Sequence, residues 1–150
     1  MTDYPVLSEE FIVEDMVEEK QKLLYPTESY KIMGAAFEVY KTLGSFLREK
    51  SYQKAFAREQ EIRGIPHTRE SYLPMLYKGV QIQNIPADFV VYGKIVVETK
   101  ATPEIKEKDI RQVHDYLVAG KLDLGIIINF GKQGGVEKMR IVRKGAGYLS

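Results

Sequence analysis

PADFVVYGKIVVETK, residues 86–100, consists of two β-branched runs on either side of Tyr92-Gly93-Lys94. Valine and isoleucine favour strands and the glycine-centred triplet supplies turn chemistry, so the segment predicts an antiparallel hairpin. Three ionisable side chains are set into it: Asp88, Glu98 and Lys100. Charges inside such runs are costly to bury unless they are paired or bind a metal. Glu98 and Lys100 are two apart and share a face of their strand. Asp88 joins that face only across a turn with an odd number of residues, as when Val91 pairs with Ile95 over a three-residue loop. It then stands opposite Glu98. Two carboxylates and an ammonium at one point of a sheet suit a hard divalent cation and a phosphate.

The plain alternative is an edge-strand salt bridge on a solvated face. Glu-x-Lys is itself a weak signal, occurring at Glu18–Lys20, Glu98–Lys100 and Glu104–Lys106. Only the middle copy has an acid on the neighbouring strand. Valines flank it on both strands, which implies two-sided burial rather than a wet edge.

Working outward, a strand is expected around Ser71–Tyr77, with a turn at Lys78-Gly79. Pro74 demotes that strand to an edge or a bulge. Gln81–Val91 and Ile95–Lys100 complete a three-stranded antiparallel meander. Thr102–Ala119 predicts a helix capped by Thr102, with Pro103 first inside it and Gly120 at its end. Ile110, Val113 and Leu117 form its apolar stripe, with Gln112 and Tyr116 one turn apart beside it. Leu122–Phe130 is a nearly continuous apolar run, as in a buried strand. Gly131–Gly135 reads as a turn without Walker spacing, and Lys138–Arg143 as a last short strand.

Before the meander, Pro26-Thr27 opens a helix with Thr27 as N-cap; Met33, Ala36, Phe37 and Tyr40 give its core face, and Gly44 stops it. A second helix runs from about Leu47 to Arg63, with Tyr52, Ala55, Phe56, Glu59 and Ile62 inward. Glu49 lies three before Tyr52 and seven before Phe56, on the apolar stripe. Alone it is a first-turn acid that favours the helix N-terminus; beside the Asp88 cluster, it is a metal-facing carboxylate. The order is α-α-β-β-β-α-β-β, an α/β (α+β) domain over 26–150.

Residues 1–25 hold seven acids against Lys20 and Lys22, a net charge of −5 that leaves +6 on the remainder. They predict an acidic extension, helical from Ser8, that docks on the body, covers a basic groove or frays. The mildly basic body is compatible with a phosphate-backbone partner. With 44% hydrophobic residues in 150, one core is affordable. No run approaches the roughly 18 apolar residues of a membrane helix, and the first residues lack a signal pattern. The absence of cysteine excludes disulfides and zinc knuckles and fits a cytoplasmic protein. His67 and His114 stand apart, which argues against a zinc hydrolase. No serine sits in a nucleophile elbow.

The ordered set Glu49, Asp88 and Glu98-Thr99-Lys100 resembles the PD-(D/E)XK nuclease superfamily. Gln112 with Tyr116 is similar to the Gln-x-x-x-Tyr element of its RecB-like branch. More narrowly, the chain resembles the small family named for a GxxExxY motif. The matching segments are YKIMGAAFEVYKTLG (30–44), EKSYQKA (49–55), Ala87-Asp88, ETKA (98–101), QVHDYL (112–117) and Asn129-Phe130-Gly131. The resemblance covers roughly residues 24–143. The motif's glycine is replaced by Phe46, and Asp88 follows Pro86-Ala87 rather than a bare proline.

The resemblance implies a restriction-endonuclease-like αβββαβ core and metal-dependent cleavage of DNA phosphodiester bonds. Asp88 and Glu98 would hold Mg²⁺ (or Mn²⁺), with Glu49 joining directly or through water. Lys100 would orient the attacking water or stabilise the transition state, and Gln112 and Tyr116 would position a water or a phosphate oxygen. Arg48, Lys50, Lys106, Lys108 and Arg111 would hold the DNA backbone without reading bases. A homodimer or a protein partner is compatible with so small a domain. Two alternatives stand beside the nuclease: a catalytically silent or partner-dependent nucleic-acid or protein-binding module on the same fold, and an interaction protein that works through residues 1–25.

Overall fold

The computed structural model describes residues 11–14 and 24–143. Its elements are β1 (Phe11–Glu14), α1 (Pro26–Leu43), α2 (Glu49–Ile62), β2 (His67–Tyr77), β3 (Val80–Val91), β4 (Ile95–Lys100), α3 (Glu107–Gly120), β5 (Leu124–Asn129) and β6 (Glu137–Arg143). They form one six-stranded sheet in the order β1-β6-β5-β4-β3-β2. β4 and β5 are parallel, joined through α3; the other neighbours are antiparallel. This is a restriction-endonuclease-like architecture, a meander plus a further strand with helices on both faces.

Two cores cover the two faces of the sheet. On one, Ile32, Ala36, Tyr52 and Phe56 of α1 and α2 meet Phe89, Val91, Val97 and Ile128. On the other, Ile110, Val113 and Leu117 of α3 meet Val96, Ile127 and Ile141. β5 is buried along its whole length, as its unbroken apolar run predicts. Gly125 is required where α3 crosses it, since a Cβ there would overlap Val113.

The expected three-residue turn is present: Val91 pairs with Ile95 across Tyr92–Lys94. The edge position and irregularity expected from Pro74 are also found, with β2 last in the sheet and a register shift at Met75/Leu76.

Several local expectations are corrected. Residues 11–14 form a strand paired with β6, not a helix, as suits the β-branched Ile12 and Val13 and the aromatic Phe11; residues 1–10 and 15–23 of the extension lie outside the described residues. Thr27 is inside α1, whose N-cap is Tyr25 in the left-handed region with Pro26 at the first position. Phe37 is exposed. In α2 the buried stripe is Tyr52, Gln53, Phe56, Ala57 and Gln60, so the inward face is rotated away from Glu59 and Ile62. α3 begins at Glu107, not Thr102. Its first turn is held by the Asp109 carboxylate, which accepts from Lys106 N at 2.9 Å, while Thr102 is bound elsewhere. Gly120 is its last residue and Lys121 takes the left-handed cap.

Candidate active site

β3 and β4 leave the turn as a regular ladder, but backbone pairing ends at Phe89↔Val97. Beyond it, carboxylates replace the ladder bonds. Asp88 N donates to Glu98 Oε1 at 2.8 Å, and Thr99 N and Oγ1 donate to Asp88 Oδ2 at 3.0 and 3.1 Å. The cause is a change of face. Phe89 packs in the α1–α2 core whereas Ala87, two residues earlier, packs in the α3 core. The neighbouring strand breaks at the same level, with Arg69↔Phe89 and Ser71↔Ala87 paired around Glu70, whose φ is +50°. Asp88 thus sits at the kink of both strands.

All six expected site residues, Glu49, Asp88, Glu98, Lys100, Gln112 and Tyr116, line one cleft of about 410 Å³. Glu49 comes from the first turn of α2, where its Oε2 accepts from Gln53 Nε2 at 3.4 Å. Lys100 Nζ donates to Gln112 Oε1 at 3.1 Å and lies 3.6 Å from Asp109 Oδ1. Tyr116 is buried one helical turn from Gln112.

The acids are electrostatically frustrated. Glu98 is only 3% exposed. Burial, then the charge of Asp88, pushes its carboxyl up to about 8, against the Asp88 N–H bond and Lys100. Burial raises Glu49 too; Lys100 opposes this, and Asp88 and Asp109 add to it. Tyr116 is raised by burial and by the charges of Glu98 and Asp88. The second oxygens, Asp88 Oδ1 and Glu98 Oε2, have no protein donor among the described residues. A pair of close, under-compensated carboxylates with hard oxygen donors fits a divalent cation. Among the described residues, no group of three or more acidic, histidine or cysteine side chains is placed to hold a metal ion together. Magnesium needs none, because it keeps several waters and binds through one or two carboxylates plus substrate phosphate.

A second cleft shares Lys100 and Gln112 and adds Lys108 and Arg111, the latter 2.6 Å from Glu107. Lys50 lines the first cleft, 3.8 Å from Glu70. Arg48 and Lys106 are exposed and line neither.

The sequence reading missed three supports. Asp109 lies three before Gln112 and seven before Tyr116, a helical spacing that places it on their face. Thr99 holds Asp88. Asn129, fully buried, accepts from Thr102 N and Gly131 N and donates to Thr102 O and Glu137 Oε1, all at 2.9–3.0 Å. It fixes the chain just past Lys100, and only its long-range partners reveal this.

The family model of the PD-(D/E)XK nuclease superfamily matches residues 26–142. The chain belongs to that superfamily. The match spans both clefts and every expected site residue, so the Asp88, Glu98 and Lys100 cluster lies in a chain of nuclease ancestry. No curated protein and no solved structure matches it. No helix among the described residues is long and apolar enough to cross a membrane.

Proposed function

We propose that this superfamily member is a metal-dependent DNA nuclease of the GxxExxY family in the RecB-like branch, working in the cytoplasm. The observation that carries the reading is the mutual grip of Asp88 and Glu98. Each spends one oxygen on the opposite strand, and both residues line the cleft that holds Lys100. Asp88 and Glu98 would hold Mg²⁺ or Mn²⁺, with Glu49 joining directly or through water, and the bound ion would supply charge neutralisation at the phosphate and a lowered pKa for the attacking water.

The chain's own residues do the rest. Lys100, steadied by Gln112 and Asp109, presents a point charge to the phosphate oxygens as the water adds to phosphorus and a P–O ester bond breaks. Gln112 and Tyr116 direct hydrogen bonds at the water or a phosphate oxygen. Lys50, Lys108 and Arg111 flank the clefts where a DNA backbone would run, with Arg48 and Lys106 further out.

Single-stranded, duplex and branched DNA incubated with Mg²⁺ or Mn²⁺ tests the reading, with Glu98→Ala and Lys100→Ala alongside. Metal-dependent products lost in both variants are expected. A folded, metal-binding protein that cuts none of them supports a silent or partner-dependent module instead.

A further inference from the structure

The β2–β3 hairpin is longer than the sheet needs. β4 pairs with β3 only at Phe89–Val91, so from Ala87 outward the hairpin is a two-stranded ribbon. It is tied to the body where Leu73 and Ile85 pack against the α3 core. Such a ribbon is marginally stable alone. Yet it holds Tyr72, Leu76, Tyr77, Val80 and Ile82 all more than half exposed, Tyr72 at 63% and Tyr77 at 60%. An apolar surface of this kind marks a place of contact.

Two features say what covers it. First, β2 is a poor edge for a second copy of the chain, since Pro74 removes a ladder donor and the register shift at Met75/Leu76 bends the strand. Second, the surface is continuous with the candidate active site: Tyr72 pairs across the ribbon with Pro86, and both line the cleft with Asp88 and Glu98. From His67 to Ala87 the only acid is Glu70, against Arg69 and Lys78, so a polyanion is not repelled.

We infer, resting on the nuclease reading above, that this ribbon is a substrate arm for single-stranded DNA. An unpaired base stacks on Tyr72 at the cleft while the backbone passes Lys50 and Lys100; Tyr77, five residues on, falls on the other face of the ribbon. A duplex keeps its base faces inside its own stack and offers little to an exposed ring. An unpaired strand presents those faces, and stacking accepts any base.

The test is binding by the full chain, in EDTA so that nothing is cut, of a short strand carrying fluorescent 2-aminopurine. Its duplex and the RNA strand of the same sequence run beside it. The DNA strand is expected to bind about tenfold or more tighter than the duplex, with the fluorescence quenched by stacking. Tyr72→Ala weakens strand binding about tenfold or more and removes the quench, whereas Tyr72→Phe keeps both and Tyr77→Ala, on the other face, changes neither. Tyr72 is exposed, so an unchanged melting temperature verifies the fold. Equal or tighter binding of duplex or RNA, or strand binding indifferent to Tyr72, overturns the inference. So does a wild-type dimer that Tyr72→Ala dissociates. Binding that depends on Tyr72 without metal-dependent cleavage leaves the arm and removes the nuclease; metal-dependent cleavage indifferent to Tyr72 does the reverse.

Discussion

Asp88 donates its backbone N–H to the Glu98 carboxylate at 2.8 Å, so a main-chain group of one acid partly stabilises the charge of the other. The bond does not offset the burial of Glu98 or the nearby Asp88 charge, and the carboxyl stays near 8. Between its ordinary value of 4.5 and about 8, the folded chain keeps a proton that the unfolded chain has released. Stability without metal therefore falls as pH rises through that interval and levels off above it. Glu98→Gln should flatten most of the slope, leaving the smaller part that Glu49 contributes in the same direction. Melting both proteins across the interval in EDTA checks this; parallel curves would mean that Glu98 is not the group responsible.

A cation at Asp88 and Glu98 should reverse that penalty. At ten times its dissociation constant, Mg²⁺ or Mn²⁺ stabilises the folded state by about 1.4 kcal/mol. For a domain of this size that is a rise of about 3–6 °C. Asp88→Asn and Glu98→Gln should each lose most of the rise. Calorimetric melting with and without the ion is the measurement, and a wild-type transition unmoved by either metal counts against the site.

The meander was legible because strand propensity and turn length act locally: β-branched runs either side of a three-residue turn leave one register, Val91 opposite Ile95. That register brought Asp88 toward Glu98 without any knowledge of the rest of the fold. The kink at Glu70 and Asp88 was not legible, since it depends on which core Ala87 and Phe89 each join. The start of α3 was misplaced for a similar reason. Thr102 has capping chemistry, but Asn129, 27 residues away, binds both its N–H and its carbonyl. The stripe of α2 was misphased because two glutamines, Gln53 and Gln60, are buried where composition favours Ile62.

Asp109 and Gln112 both touch Lys100, but they should separate in mutagenesis. Asp109 also holds the first turn of α3, so Asp109→Ala should cost about 1 kcal/mol of stability as well as turnover. Gln112 is exposed and positions Lys100 alone among these roles. Gln112→Ala should lower the cleavage rate about tenfold with the melting temperature nearly unchanged. Denaturant titration beside single-turnover cleavage separates the two effects, and equal stability losses would contradict the assignment.

Gln60 is fully buried, and neither its side-chain oxygen nor its nitrogen has a hydrogen-bond partner among the described residues. An unsatisfied buried amide costs about 1–3 kcal/mol. Gln60→Met keeps the length and removes the polar atoms, so it should raise stability by about 1 kcal/mol. Urea unfolding midpoints of the two proteins decide the point; a loss of stability would mean that the amide is satisfied in solution.

Asn129 is the opposite case, a buried amide with every bond made. Its four hydrogen bonds join Thr102, Gly131 and Glu137, and Tyr52 stacks on the adjacent Phe130 with ring centroids 4.7 Å apart. Gly131 packs so closely there that a Cβ would overlap the Ala101 and Thr102 backbone. Asn129→Ala strands several of these polar groups at once, so the expected loss is about 2–4 kcal/mol. Asn129→Asp should also destabilise, because a carboxylate cannot donate to Thr102 O and would face Glu137. If Asn129 acts on the site by fixing the chain beyond Lys100, the part of Asn129→Ala that remains folded should cleave more slowly while retaining its metal-induced rise in melting temperature. Full activity in that folded fraction would show that the clamp serves stability alone.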